Sequence, residues 1–193
     1  CRIYGGQVGA DVYQGVMGQS GNSVMKAFLE ASAINVDRDD YRRTFKEQYR
    51  SLLEGGVEAM PGAIKLLKTL TDQNWKIGLV SSSERWMIDL ILKSLSIERY
   101  FSVIVSGDDV TRHKPSPDLY NCAIELMEVK PEDAIVIEDS ESGVVAARSA
   151  GLKIIALRHS LNQNHDFSQA ATVLLSLEPT EEVLRLLAKT ESK

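Results

Sequence analysis

The spacing of apolar residues changes near residue 57 of the chain. Before this point, apolar side chains recur three or four positions apart, as they do on one side of an amphipathic helix. The two sets are Val24, Phe28 and Ala31, followed by Tyr41, Phe45, Tyr49 and Leu52. Residues 1–56 are therefore predicted to form a small helical domain, which ends at Gly55-Gly56.

After residue 57, short apolar runs alternate with helical patterns. The predicted strands are 76–80, 102–105, 134–137, 153–157 and 172–175. The predicted helices are 62–73, 84–95, 117–128, 142–150 and 180–189. Buried strands that alternate with helices of this length are typical of a parallel sheet with helices on its faces. Residues 57–193 are therefore predicted to form a Rossmann-like α/β core.

Composition narrows the classes of function. The 193 residues are 44% hydrophobic and carry a formal net charge of −5. This length can bury one sizeable core together with a small second domain. The negative charge and the lack of a basic run argue against nucleic-acid binding. The apolar runs are far shorter than the ~20 residues of a membrane span, and no signal-like leader stands out. We expect a cytoplasmic monomer without a membrane or nucleic-acid partner.

The two cysteines, Cys1 and Cys122, lie far apart in the sequence. Cys122 falls on the apolar stripe of a predicted helix, together with Leu119, Ala123 and Leu126. We interpret Cys122 as a core thiol of a reduced protein rather than as a nucleophile or a disulfide partner.

Polar side chains follow three of the predicted strands. In a parallel α/β sheet the ligand crevice lies outside the carboxyl ends of the strands. The residues delivered there are, in chain order, Ser81, Ser82 and Ser83, then Lys114, then Glu138 and Asp139. Together they offer hydroxyls, an ammonium and a pair of carboxylates at one edge of the sheet.

Each of these residues also has an ordinary structural role. Serines after a strand often cap a helix, and Asp139 or Ser140 could cap the helix that follows. A lysine before a proline, as in Lys114-Pro115, usually lies in a solvated loop. At a shared sheet edge, however, the set forms a site for a metal ion and an anionic oxygen group. Oxygen ligands without a His or Cys cluster favour Mg²⁺.

Three segments of the chain read "GLVSSS", "SGDDVTRHKPSPDLY" and "IVIEDSESGVVAARSAG". They resemble motifs two, three and four of the haloacid dehalogenase (HAD) superfamily. Their order and separation are similar to those of the subfamily with a helical cap, which includes β-phosphoglucomutase and sugar-phosphate phosphatases. The resemblance runs from about Met17 to the C-terminus. It implies a Mg²⁺-dependent phosphatase that acts on a small phosphorylated metabolite, such as a sugar phosphate, through an aspartyl-phosphate intermediate.

The resemblance also implies roles for the residues that follow the first two strands. Ser81 corresponds to the hydroxyl that hydrogen-bonds the transferred phosphoryl group, and Ser82 would contribute its backbone N–H. Ser83 would contact a second substrate phosphate. Lys114 corresponds to the lysine that neutralises charge between the nucleophile and the phosphate.

The carboxylate pair is the implied metal site. Asp139 would ligate Mg²⁺, and Glu138 would be a second or a water-mediated ligand. Removal of halide from a 2-haloacid needs no metal, and two carboxylates would be poor neighbours for its carboxylate substrate. The pair therefore favours phosphate chemistry, in which charge stabilisation supplies most of the catalysis.

The nucleophile of the family is not found in the sequence. In relatives it is the first Asp of a D-x-D motif at the end of the first core strand, which is expected upstream of Cys1. Asp37 and Asp39 have this spacing, but they lie between two helical patterns and suit a helix N-terminus. Asp108-Asp109 lacks the spacing. Two alternatives stay open, a parent enzyme that carries the strand upstream and a non-catalytic chain that binds phosphate or a partner.

The family resemblance places the missing strand between the strands 76–80 and 134–137. We therefore expect these two strands not to be hydrogen-bonded to each other, because another segment should fill the slot between them. Direct pairing would instead favour the non-catalytic alternative.

Two other positions depart from the family pattern. Gly21 stands where the mutase-like cap carries an arginine for the distal phosphate, which disfavours a phosphomutase, although Lys26 could compensate. His113 stands where relatives carry glycine and is interpreted as a solvent-exposed bystander.

Overall fold

The computed structural model describes residues 1–191. The N-terminal region contains the helices α1 Ala10–Val16, α2 Gly21–Ser32 and α3 Arg38–Glu54. The strands that follow are β1 Gly78–Val80, β2 Val103–Val105, β3 Ile135–Glu138, β4 Lys153–Leu157 and β5 Thr172–Leu174. The helices between and around them are α4 Ala63–Asp72, α5 Arg85–Leu95, α6 Asp118–Met127, α7 Glu141–Ser149 and α8 Thr180–Glu191. All ten elements predicted after residue 57 are present, with ends shifted by a residue or two.

Side-chain caps define the starts of three helices. The carboxylate of Asp37 accepts hydrogen bonds from the backbone N–H groups of Asp39 and Asp40 at the start of α3. Ser20 caps α2 and Ser140 caps α7 in the same way. Such caps stabilise a helix by ~1 kcal/mol each. The D-x-D spacing at Asp37 is therefore part of a helix start, as expected, and does not end a core strand.

Within residues 1–191 the strands form two separate parallel sheets. β1 pairs with β2, while β4 lies between β3 and β5. The predicted parallel α/β fold is confirmed. β1 and β3 share no ladder in the described part of the chain, so the expectation that they are not direct partners is also confirmed.

β4 is the buried centre of the larger sheet. Ile154 and Ala156 face α7, where they pack in one cluster with Val144 and Ala147. Residues on the other face of the strand pack against α4 and α8, in the cluster Leu66, Leu70, Ile155, Leu157, Leu177, Val183 and Leu187. Full burial of one such aliphatic side chain contributes ~1.5 to 3 kcal/mol. This double-sided packing fixes the carboxyl ends of β3 and β4, which carry the site.

The apolar side predicted for residues 41–52 lies on one helix, α3, but it is only partly covered. Tyr41 is buried, whereas Phe45 is 41% and Leu52 is 74% exposed. Neighbouring elements therefore cover only part of this helix. Leu126, at the end of the Cys122 stripe, is also exposed.

Cys122 itself is a free, half-buried thiol that packs beside Leu119 and Ala123. Burial raises the pKa of this thiol, which fits a structural role. Among the described helices, none is both long enough and apolar enough to cross a membrane.

Candidate active site

A cavity of about 520 Å³ lies at the carboxyl ends of β1 and β3, under α1 to α3. The six strand-end residues predicted from the sequence all line it, namely Ser81, Ser82, Ser83, Lys114, Glu138 and Asp139. The parallel topology brings them together because the carboxyl ends of these strands point to one edge.

Lys114 is buried between the ends of the two sheets. Its ammonium donates a hydrogen bond to Glu138 Oε1 and lies 3.5 Å from the carbonyl oxygen of Val80. The side chains of Lys114 and Glu138 are only 5% and 6% exposed. The alternative of a solvated loop lysine is therefore wrong. A buried charge of this kind is tolerated only when it is paired and hydrogen-bonded.

The carboxylate of Glu138 accepts hydrogen bonds on both oxygens. Tyr120 donates to Oε1 at 2.9 Å, in addition to Lys114. Oε2 accepts from the backbone N–H groups of Asp139 and Ser140 at 2.8 and 3.0 Å, and from the Ser140 hydroxyl at 3.1 Å. Burial alone would raise the pKa of Glu138, but the charge of Lys114 and these hydrogen bonds hold it below the ordinary value.

Gly143 provides the space for this carboxylate. A Cβ atom at position 143, in the first turn of α7, would overlap both oxygens of Glu138. The glycine of the "EDSESG" segment is therefore required by the packing of Glu138 against the helix.

Asp139 presents a more open carboxylate. Its side chain is 52% exposed, and Oδ2 lies 3.3 Å from Nε2 of His159. Partial burial and the negative charge of Glu138 raise the pKa of Asp139, while His159 opposes the increase.

The carboxylates of Asp139 and Glu138 fit the ligand preferences of a Mg²⁺ ion. Mg²⁺ takes one or two carboxylates and completes its shell with water and phosphate oxygens. Asp139 has room for such a shell beside the cavity, whereas a metal ion bound directly to Glu138 would replace one of its hydrogen-bond donors. Within residues 1–191 no group of three or more His, Cys, Asp or Glu side chains is placed to hold a metal.

The serines after β1 do not cap α5. The N–H of Arg85 at the start of that helix is bonded to the carboxylate of Asp108. Ser81 Oγ instead accepts from the N–H of Ser83, which leaves its own hydrogen to donate to a ligand. Ser82 Oγ donates to the carbonyl oxygen of Gly18 at 2.8 Å. The capping alternative is therefore wrong for these serines. Ser140, and not Asp139, caps α7.

The turn at Gly18 holds the N-terminal helices against the strand ends. Gly18 has a φ of 80°, and a Cβ there would overlap the side chain of Ser140. Its contacts with Ser82 and Ser140 join the ends of β1 and β3 beneath the helices. Only glycine combines this backbone conformation with so close an approach.

Charged residues of α3 contact the core at Glu84. Arg42 and Lys46 lie 3.4 and 3.5 Å from its carboxylate, and the indole N–H of Trp86 donates to it. Partial burial would raise the pKa of Glu84, but the Trp86 hydrogen bond and the two cations lower it overall.

Gly21 faces this cluster, with Glu84 as the nearest group to an added Cβ, at 3.7 Å. Lys26 pairs with Glu30 on an exposed face and does not line the cavity. The suggestion that Lys26 compensates for Gly21 is therefore not supported. His113 is half-buried rather than solvent-exposed, and its Nδ1 has no hydrogen-bond partner among the described residues.

The segment after β4 contributes residues that the sequence reading missed. His159 contacts Asp139, and Asn162 holds the backbone at the same position. Their signal was available, because "RHSLN" follows a predicted strand just as the other site residues do. Tyr120 was also missed, since nothing in the sequence shows that a helix tyrosine reaches Glu138.

The fold and the site define a parallel α/β protein with a buried lysine, hydroxyls and carboxylates at its strand ends. Residues 2–157 match the family model for haloacid dehalogenase-like hydrolases, and the chain belongs to this family. The expectation of a HAD-family hydrolase is thereby confirmed.

Individual relatives agree with this assignment. The phosphorylated carbohydrates phosphatase of Thermotoga maritima is 31% identical over 185 residues, which cover 95% of this chain and 85% of that protein. The crystal structure of CbbY from Rhodobacter sphaeroides in complex with phosphate is 26% identical, with a TM-score of 0.77 and coverage of 85% and 76% of the two chains. β-Phosphoglucomutase from Clostridium difficile shares the fold, with a TM-score of 0.80, 22% identity and coverage of 100% and 87%. Other curated relatives are longer, and the chain spans 37% to 66% of their length.

Proposed function

We propose that the protein is a Mg²⁺-dependent phosphatase that hydrolyses a small phosphorylated metabolite, with sugar phosphates as the favoured class. The observation that carries the proposal is the buried ammonium of Lys114 between Val80 and Glu138. A cation held at the junction of two strand ends, beside free hydroxyl donors, suits a phosphoryl group. The similarity to a phosphatase of phosphorylated carbohydrates supports the substrate class.

Each strand-end residue has a role in this proposal. Ser81 donates its hydroxyl hydrogen to a phosphoryl oxygen, and the N–H of Ser82 donates to the same group. Ser83 contacts a further oxygen of the substrate. Lys114 neutralises the charge that builds up between the phosphate and an attacking carboxylate.

Asp139 is the residue that would hold Mg²⁺ directly, and Glu138 would act through a bound water or by exchanging one of its donors. When bound, the ion supplies positive charge to the phosphoryl oxygens. Glu138 also keeps Lys114 in place, since the two charges pair in the interior. The metal site and the phosphate site therefore share one hydrogen-bonded unit.

The nucleophile is proposed to be the first Asp of a D-x-D segment upstream of Cys1, on a strand between β1 and β3. The separation of the two sheets supports this placement, because the facing edges of β1 and β3 would otherwise leave backbone groups unpaired at ~1 to 3 kcal/mol each. A monomeric state and a cytoplasmic location stay predictions from the sequence.

Non-catalytic phosphate binding is the second candidate. It is favoured by the hydrogen bonds that already occupy both oxygens of Glu138, because a metal ion bound directly there would have to replace a donor. A phosphomutase is less favoured, because Arg42 at the cap side of the cavity pairs with Glu84 and not with an open anion site.

A panel of sugar phosphates tests the proposal, with inorganic phosphate release measured in the protein with its natural upstream sequence. Release that requires Mg²⁺ supports a phosphatase. Phosphate binding without turnover would favour the non-catalytic candidate, and transfer of phosphate between sugar positions would favour the mutase.

A further inference from the structure

Asn162 is a fully buried polar side chain in the segment that follows β4. Its Nδ2 group donates to the carbonyl oxygens of Asp139 and Leu157, each at 2.8 Å. Its Oδ1 atom accepts from the backbone N–H of His159 at 2.7 Å. Because Leu157 ends β4 and Asp139 follows β3, one side chain joins the ends of two neighbouring strands.

His159 connects Asn162 to the side-chain carboxylate of Asp139. Nδ1 of His159 accepts from the N–H of Leu161 at 3.2 Å, which places the hydrogen of a neutral ring on Nε2. Nε2 lies 3.3 Å from Asp139 Oδ2. Asn162 thus holds the backbone of Asp139 directly, and it holds the side chain of Asp139 by fixing His159.

The loop that carries Asn162 is itself restrained. The guanidinium of Arg158 donates to the carbonyl oxygens of Asn162 and Gln163 at 2.9 and 2.8 Å. The same guanidinium stacks on the ring of Phe167. Hydrogen bonds therefore hold both the backbone carbonyl and the side-chain amide of Asn162, so this residue can hold Asp139 in one position.

We propose that Asn162 is a positioning residue that sets the orientation of the Asp139 carboxylate for metal binding. The proposal rests on the proposed function, since it needs Asp139 to be a metal ligand. Partners that orient a ligating group typically contribute 10- to 100-fold to metal affinity. A buried amide whose Nδ2 group donates twice and whose Oδ1 atom accepts once is suited to this role, because any other position would leave polar groups unpaired.

The test is metal affinity in Asn162→Ala, with Mn²⁺ as the probe and electron paramagnetic resonance as the measurement. Mn²⁺ takes the same oxygen ligands as Mg²⁺. We expect affinity to fall by ~10- to 100-fold while circular dichroism shows a folded protein. Val183→Ala is the matched control, because Val183 is buried in the cluster that packs on the face of the sheet opposite to α7. It should lower stability and leave Mn²⁺ affinity unchanged.

His159 provides a second test if Asn162→Ala does not fold. His159→Leu removes the contact with Asp139, whereas His159→Gln keeps an N–H donor. Weaker Mn²⁺ binding in His159→Leu, with partial recovery in His159→Gln, supports the proposal. Wild-type affinity in Asn162→Ala or in His159→Leu would overturn it. Phosphatase activity that requires Mg²⁺, with unchanged Mn²⁺ affinity in these variants, would overturn this inference alone. A wild-type protein that binds no Mn²⁺ would overturn the metal site as well.

Discussion

The ammonium of Lys114 and the carboxylate of Glu138 form a buried ion pair that joins the loop after β2 to the end of β3. The pair sits where the two sheets approach each other, and it contacts the end of β1 through Val80. Hydrogen bonds from Tyr120 and Ser140 complete the surroundings of the carboxylate. We therefore expect both stability and phosphate binding to depend on the same two charges.

Removal of the Lys114 ammonium should affect both stability and phosphatase activity. Lys114→Met would leave the Glu138 carboxylate buried without its partner, and we expect the free energy of unfolding to fall by ~3 to 5 kcal/mol. Lys114→Met combined with Glu138→Gln should recover much of this loss without recovering activity. Urea denaturation and phosphate release measure the two effects. Equal stability of Lys114→Met and the wild type would contradict the pairing.

Lys114→Arg tests the shape of the cation. A planar guanidinium does not replace a compact ammonium in the space between Val80 and Glu138, so we expect poor activity despite the retained charge. The comparison is kcat/KM for the two proteins under the same Mg²⁺ concentration. Full activity in Lys114→Arg would mean that the contact with the phosphate is looser than proposed.

Stability should fall in acid because of Glu138. Its pKa in the folded protein lies below the value of an unfolded glutamate, about 4.3, so the folded state favours the charged form. The stabilisation is thus present above about pH 4.3 and is lost as the pH falls through the folded pKa. Unfolding measured from pH 7 to pH 3 should show a steeper loss for the wild type than for Glu138→Gln. Identical slopes would show that Glu138 does not contribute.

Asp139→Asn should abolish Mg²⁺-dependent phosphatase activity and leave the fold intact, because the half-exposed side chain adds little to the core. Asp133→Asn is a suitable control, since Asp133 is exposed and precedes the first residue of β3, at the end of the strand opposite to Asp139. Phosphate release and circular dichroism are the measurements. Activity within a few-fold of the wild type in Asp139→Asn would remove this residue from the metal site.

Gly143→Ala tests the packing of α7 on Glu138. The added methyl group would overlap the carboxylate, so we expect reduced stability and a loss of phosphatase activity. In α1, no atom of residues 1–191 outside that helix lies within 4 Å of a Cβ added at Gly15, and Gly15→Ala should stabilise the protein by up to ~1 kcal/mol. Thermal unfolding of the two variants gives the comparison. A neutral Gly143→Ala would show that Glu138 moves freely.

The sequence was sufficient to predict the core because its strands are short apolar runs bounded by polar residues. The parallel order of these strands then predicted that Ser81, Lys114 and Asp139 lie at one edge of the sheet. The burial of Lys114 was not predictable, since its partner Glu138 is 24 residues away in the chain. The position of Asn162 after a predicted strand was a usable signal, but its hydrogen bonds to Asp139 and Leu157 are visible only in three dimensions. The exposed face at Leu52 shows the limit of periodicity, which identifies an apolar side but not what covers it.

The most direct test of the phosphatase assignment is a search for the covalent intermediate. The protein with its natural upstream sequence is mixed with a sugar phosphate labelled in the phosphoryl group, and the reaction is stopped in acid. We predict radioactivity bound to the protein that is stable in acid and released by hydroxylamine, as an acyl phosphate on an Asp upstream of Cys1. Protein that binds labelled phosphate reversibly, with no covalent label and no turnover, would contradict the assignment and leave a phosphate-binding protein.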